Sequence, residues 1–384
     1  MAQHELWLTN DRGERLALLD DFTYFQGTIA SNRVGQCRVY LPSTFDTSLL
    51  RIDSMIQLWR APKGGRLSLW RPFLIQRIGY AMNGAEETIE VGGEDPNTLL
   101  RRRYVVANKG SAEADKGGEA DDLMKAYVYE AMVSSTYTPQ TSSGTRNYTG
   151  FSTQADLTAA PSVNHEAAYR NLYATLQDIA SKSREKGTDL FFDVAPDLVT
   201  ATSISFQFRT YIGKMGADLS SQVVFDQAYG NFVNPFYERD WTDVQSFIYS
   251  AGQGPSVLRH ILETIDIARL YLSKWGWREG FQDARSGDSL DEVSYAGYEA
   301  LEKARPIQRF GGQPIDTDGT QYGVDWHFGD LVRARYRDID VQCMVDGVTL
   351  TIEDAKETIE TDLRVISFGD TSTAQGGWIP VAPE

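Results

Sequence analysis

Residues for redox or metal chemistry are scarce in this 384-residue chain, which has two cysteines and four histidines. Cys37 and Cys343 are too few for a disulfide framework or a zinc site. Both fall in alternating apolar stretches where a small buried hydrophobe fits, so core packing is expected for each. His4, His165, His260 and His327 are scattered, none with another His or Cys at metal-ligand spacing. No run of eighteen apolar residues occurs, so no membrane span is expected. The opening MAQHELWLTNDRGE has neither the basic region nor the apolar stretch of a secretory signal, which predicts synthesis in the cytoplasm without export. Positive charge is also short. Lys and Arg number 37 against 53 Asp and Glu, a net charge of −16 at pH 7, which opposes general affinity for nucleic acid or anionic lipid.

With 41% hydrophobic and 11% aromatic residues, the chain has enough apolar mass for two or three cores and is not a disordered polymer. The most informative stretch is YGVDWHFGDLVRARYRDIDVQCMVDGVTLTI, from Tyr322 to Ile352. Val332, Ala334 and Tyr336 alternate with Leu331, Arg333 and Arg335. Val341, Cys343 and Val345 then alternate with Gln342, Met344 and Asp346, and Val348, Leu350 and Ile352 follow Gly347. A period of two over that length predicts two or three strands with one buried face, entered through a Gly329-Asp330 turn.

The N-terminal region reads as all-β from Glu5 to Val106, with turns at Asp11-Arg12-Gly13, Lys63-Gly64-Gly65 and Asn83-Gly84. Cys37, Val39 and Leu41 share one face, Ile56 and Leu58 another, and Ile89 and Val91 a third, as a small barrel or sandwich requires. Short helical turns are expected at Asp46–Leu50 and Asp95–Leu100. Helices are predicted from about Asp122 to Val133 and from His165 to Ser183. The second has apolar residues at Ala168/Tyr169, Leu172/Tyr173, Leu176 and Ile179/Ala180, with Gly187 as its stop. Between them lies a Ser/Thr-rich insert, Ser134 to Asn164, of about thirty residues. That is long for a connection in a compact domain, and it reads as mobile or as a contact arm.

Strands resume at Asp189–Val194, Ala201–Ile212, Val223–Phe225 and Val244–Tyr249. A helix from Asp288 to about Ala304 carries Leu290, Val293, Gly297, Ala300 and Leu301 on one face. The fold class that follows is α+β, mainly β. The expected divisions are a first β-module at 1–106, a helical insertion with the Ser/Thr loop at 107–200, a second β-rich module at 201–287, and a helix with closing strands at 288–384.

No catalytic, cofactor-binding or metal-binding residues are assigned, because the motifs that suggest chemistry fail on inspection. Gly252-Gln253-Gly254-Pro255-Ser256 lacks the third glycine of a dinucleotide turn. Asp316-Thr317-Asp318-Gly319 has its glycine two positions early for a calcium loop and no Glu at the twelfth position. Glu86-Glu87 and Asp121-Asp122 are pairs of the kind a glycosidase uses, but a chain this acidic holds such pairs by chance. Asn147-Tyr148-Thr149 fits a glycosylation acceptor that has no export route. Arg101-Arg102-Arg103 reads as a salt-bridged face where a short helix passes into a strand. Trp241, Trp275, Trp277 and Trp326 suit subunit interfaces or a core equally.

Six segments, in order, resemble the tail hub (baseplate hub, tail-tip) proteins of long-tailed siphophages. These are VGQCRVYLPSTFDTSLLRIDSMIQLWR (Val34 to Arg60), FLIQRIGY (Phe73 to Tyr80), VGGEDPNTLLRRRYV (Val91 to Val105), GADLSSQVVFDQAYGNF (Gly216 to Phe232), SAGQGPSVLRHI (Ser250 to Ile261) and FGDLVRARY (Phe328 to Tyr336). The insert from Ser134 to Asn164 has no counterpart in that pattern. No β-helical spike or lysozyme-like domain of the contractile-phage kind is present either.

The resemblance implies two β-barrel-like tube domains with helical insertions. It implies a homotrimer whose pseudo-sixfold ring docks on a sixfold tail. The implied location is the virion tail tip, and the implied partners are a distal tail protein or tube ring, the tape measure protein and a central fibre or spike. DNA would pass through without specific binding, with no membrane insertion by this chain and no cofactor. An acidic lumen would repel DNA phosphates, although acidity also serves solubility. The alternatives are a tail-associated carbohydrate-degrading enzyme, with the Ser/Thr loop and exposed aromatics on sugar, and the hub of a bacterial contractile injection system.

Overall fold

The computed structural model describes residues 2–83, 86–106, 114–135, 146–254, 259–285 and 289–368. The fold is mainly β with several sheets. The chain forms two compact units, one of residues 1–236 and 310–367 and one built on residues 237–309.

In the first unit, alternating sequence becomes a run of antiparallel hairpins. Gln3–Thr9 and Arg15–Leu18 pair across the turn containing Gly13, which has a φ of 91° that an L side chain rarely adopts. Met55–Ala61 and Ser68–Asn83 pair across the turn containing Gly64. Ser68–Asn83 then pairs with Glu86–Glu94. The expected Asn83-Gly84 turn falls there, with Gly84 outside the described residues.

The path of paired strands runs from Phe232–Asp240 through Ile307–Pro314, Lys356–Phe368 and Ile339–Glu353 to Tyr24–Ala30. It continues through Gln36–Pro42, Glu86–Glu94, Ser68–Asn83 and Met55–Ala61 to the N-terminal hairpin. Among the described residues this path does not close on itself into a barrel.

The stretch from Tyr322 to Ile352 holds this sheet together. After the Gly329-Asp330 turn, Leu331–Tyr336 pairs with the first half of the long strand Ile339–Glu353, and Tyr24–Ala30 pairs with its second half. The predicted apolar faces are the buried ones. Cys37, Val39, Leu41, Ile56, Leu58, Ile89, Val91, Leu350 and Ile352 share one core with Phe25 and Phe73. Burying each large apolar side chain stabilises the fold by roughly 1.5–3 kcal/mol. Cys37 and Cys343 are both buried free thiols, and burial pushes each thiol's pKa up. The short helix Thr47–Leu49 is capped by Asp46, which accepts from the Ser48 amide.

A second core in the same unit gathers helices and a small sheet. Ala120–Val128 continues as a π-helical turn, Tyr129–Val133, close to the predicted helix. The other helix begins later than its apolar spacing suggests. It spans Leu172–Glu185, capped by the Asn171 side chain on the Ala174 amide. His165, Glu166 and Ala167, expected as its first turns, instead lie in the strand Ser162–Ala167, which pairs with Ala114–Glu119. The Ser/Thr-rich insert is correspondingly built into the fold on both sides of residues 136–145, which lie outside the described residues. Phe151–Thr153 adds in parallel to Phe206–Phe208, beside the Leu190–Val199 strand, and Phe151 is buried.

In the second unit, Phe247–Ala251 lies between Ile261–Ile265, antiparallel, and Glu279–Asp283, parallel. The helix Leu290–Lys303 packs on one face of this sheet. Its cap is Ser289, whose hydroxyl accepts from the Glu292 amide, while Asp288, the expected start of the helix, lies outside the described residues. Gly297 is required for the close approach, since a Cβ there would lie 2.3 Å from Thr264 Oγ1 and 2.4 Å from Ser250 Oγ.

Candidate functional site

The motifs set aside from sequence are not brought together in the structure. Asp121 and Asp122 both bind Lys125 Nζ at 3.2 Å, and they also accept from the Ala160 and Leu157 amides, so this pair caps and clamps a helix. Glu86 and Glu87 lie on a strand, with Glu87 paired opposite Met82. Asp316 accepts from the Tyr322 amide in a turn. Of the arginine run, Arg101 pairs with Glu94, Arg102 lies 2.7 Å from Asp53, and Arg103 donates to the Arg146 carbonyl while lying over Tyr148. Tyr148 of the glycosylation-like triplet is thus a packing residue. Among the described residues, no three His, Cys, Asp or Glu side chains gather as a metal site requires. Nor is any helix there long and apolar enough to cross a membrane.

Two buried charge clusters, invisible in local sequence, do assemble. In the first, Arg71 lies between Asp95, at 2.7 Å, and Asp193, bound through both carboxylate oxygens at 2.6 and 2.9 Å. Asn97 donates to Asp193 at 3.0 Å and accepts from the Val194 amide at 2.8 Å. Burial pushes the Asp95 carboxyl up to about 6; the Arg71 guanidinium opposes that rise and the Asp193 charge adds to it. The cluster fastens the Leu190–Val199 strand to the large sheet.

In the second cluster, Arg60 binds Glu357 bidentately at 2.7 and 2.8 Å and donates to the Tyr322 carbonyl at 2.8 Å. His4 Nε2 sits 2.6 Å from Glu357 on the other side. Burial of Glu357 acts to raise its pKa, but the bonds from Arg60 and His4 outweigh it and hold the carboxyl at about 2. Bidentate pairs of this kind fix geometry and leave the carboxylate no free proton to exchange near neutrality. Both clusters are therefore clamps between distant strands.

Five of the six segments singled out in sequence also meet in space. The Gly216 amide donates to the Gly329 carbonyl at 2.9 Å, the Ala217 amide to Asp330 Oδ1 at 2.7 Å, and the Leu331 amide to the Ala217 carbonyl at 2.9 Å. GADLSSQVVFDQAYGNF is thereby zipped onto FGDLVRARY, with Val224–Asp226 paired in parallel to Arg333–Arg335. Asp330 is buried and also accepts from the His327 amide at 2.8 Å. Val34–Arg60, Phe73–Tyr80 and Val91–Val105 likewise supply adjacent strands of one sheet.

The tryptophans divide sharply. Trp326 is fully buried against Phe225 and Tyr322, with its Nε1 donating to the Thr320 carbonyl. Trp241, Trp275 and Trp277 are 45%, 74% and 55% exposed, all in the second unit.

This architecture is that of prophage tail proteins. A tail protein of Neisseria meningitidis MC58 superposes with a TM-score of 0.54 at 13% identity, covering 96% of this chain and 97% of the other. The 43 kDa tail protein of prophage MuSo2 from Shewanella oneidensis gives 0.55 at 10% identity, covering 94% and 97%. No curated protein matches the sequence. Residues 5–366 match the family described as siphovirus ReqiPepy6 Gp37-like protein, and the chain belongs to that family.

Proposed function

We propose that this chain is the hub of a phage tail tip. Three copies form a ring that joins the sixfold tail tube or distal tail protein to a threefold central fibre or spike, with the tape measure protein and then the genome passing through. Its work is positional, with no catalytic step. The observation that carries this reading is the family match over residues 5–366, on a chain in which five of the six segments singled out in sequence supply strands of one sheet. The buried Arg71 and Arg60 clusters support it, because they lock distant strands in the way a load-bearing ring segment needs.

Part of the net charge of −16 facing the lumen would let DNA slide past without counterion-driven sticking. Lysine substitutions at lumen-facing acids should then slow genome ejection from assembled particles, and unchanged ejection would remove this part of the proposal. The ring itself is tested by electron-microscopy class averages of the purified full chain. Threefold rings with a central opening are expected. Compact monomers that release sugar from host walls, with the release lost on substitution of an acid pair, would overturn the reading.

A further inference from the structure

The second unit carries an exposed aromatic surface on its three-stranded sheet. The helix Leu290–Lys303 covers the sheet face bearing Ser250 and Thr264, as the approach of Gly297 to both shows. Directly paired residues share a face. Phe247 with Glu279, and Tyr249 with Glu263 and Phe281, therefore point away from the helix. This open face is aromatic. Phe281 is 63% exposed, and Trp277 lies over Phe247 with ring centroids 4.8 Å apart and an interplanar angle of 26°.

The indole of Trp277 is held in place. Its Nε1 donates to Glu279 Oε1 at 2.7 Å, and the same oxygen accepts from the Tyr249 hydroxyl at 3.2 Å. Beside it opens a groove of about 480 Å³ lined by Trp241, Thr242, Asp243, Gln245, Arg278 and Glu279. Arg278 is tied to the groove wall by a 2.8 Å bond from its Nη1 to the Trp241 carbonyl.

We propose that the groove and the adjoining aromatic face form a saccharide-binding site for a neutral or amino-bearing sugar chain. A pyranose presents an apolar C–H face and an equatorial rim of hydroxyls. The apolar face is matched by an indole already stacked on one side and more than half exposed, which loses little side-chain entropy on binding. The hydroxyl rim is matched by the carboxylates of Asp243 and Glu279, the Gln245 amide and the Arg278 guanidinium. Trp277 and Phe281 are at most about 14 Å apart along the chain, enough for more than one ring of an oligosaccharide. Asp243, Glu263 and Glu279 outnumber Arg278 and Arg259, and Arg259, which lies over the Phe281 ring, is itself paired with Asp283, so the surface disfavours uronic or phosphorylated sugars and tolerates an ammonium group.

The test is calorimetric titration of the full chain with cellotetraose, mannotetraose, chitotetraose and the glucosamine tetramer, with the galacturonic acid tetramer as the anionic control. Saturable binding of at least one neutral or amino tetrasaccharide is expected, with the anionic tetramer binding at least tenfold more weakly. Trp277→Ala and, separately, Glu279→Gln should each weaken binding tenfold or more while circular dichroism shows the fold retained. Trp277→Phe should keep part of the affinity. Binding of none of the four, or binding unchanged by both Trp277→Ala and Glu279→Gln, overturns the proposal. So does loss of self-association in Trp277→Ala without sugar binding by the parent chain, which would assign the face to a second copy instead.

Discussion

Replacing Arg71 with methionine keeps an unbranched apolar stem but removes the cation between Asp95 and Asp193. Three hydrogen bonds of 2.6 to 2.9 Å disappear, and two carboxylates remain where the Asp95 side chain is wholly buried and the Asp193 side chain is 11% exposed. Removing one partner of a buried ion pair typically costs about 3–5 kcal/mol, because the remaining charge has no solvent. At about 2–4 °C per kcal/mol for a unit of this size, the melting transition of the first unit should fall by roughly 10 °C at pH 8.

The loss should be smaller at pH 5.5. Asp95, already raised to about 6 by burial, can there relieve the repulsion by taking up a proton. Calorimetric melting of the full chain at both pH values measures the difference. Neutralising all three positions with Arg71→Met, Asp95→Asn and Asp193→Asn should recover part of the lost stability, because no unpaired buried charge then remains. A shift of under about 2 °C at pH 8, or a larger loss at pH 5.5 than at pH 8, would refute the clamp.

Three further outcomes follow from the same geometry. Asp95 has a folded pKa above its ordinary 3.8, so the folded state keeps a proton the unfolded chain releases. Stability therefore declines as pH rises from about 4 to about 6, and Asp95→Asn should flatten that slope in urea midpoints taken across the window. Glu357 is held at about 2 against an ordinary 4.5, so its contribution is present above about 4.5 and is lost as pH falls toward 2. Glu357→Gln should cost about 3 kcal/mol at pH 7 by denaturant unfolding, with the gap to the parent chain closing below pH 4. Gly216→Ala would place a Cβ 2.2 Å from Asp330 Oδ1 and 2.8 Å from its backbone nitrogen. Opening that contact should cost about 2–3 kcal/mol and raise hydrogen exchange at the Ala217 and Leu331 amides.

What the sequence disclosed was local. Strands such as Gln36–Pro42 and Met55–Ala61 were legible because alternate residues meet one core and its opposite face. Their long-range pairing was not, since nothing in Tyr24–Ala30 points to a partner at Gly347–Glu353. The helix that ends at Glu185 was extended too far back because Ala168/Tyr169 continues its three-four spacing. Val163, His165 and Ala167 are buried alternately, a period of two, and Tyr169 has a φ of 51° that no helix allows. The charge clamps escaped notice because Arg71 is 24 residues from Asp95 and 122 from Asp193, so only the fold unites them. Tryptophan identity was equally mute, since Trp326 is core and Trp275 is exposed in chemically similar sequence. The blocks at Gly216–Phe232 and Phe328–Tyr336 carried more, because side-by-side packing constrains both at once.

The central claim, a hub at the tail tip, is tested most directly by locating the chain in the particle that contains it. Gold-labelled antibody raised against the full chain, applied to tailed particles and viewed by electron microscopy, should mark the tail end opposite the capsid, with the antibody retained at that end alone. Label distributed along the tube, on the capsid or absent from intact tails would contradict the account.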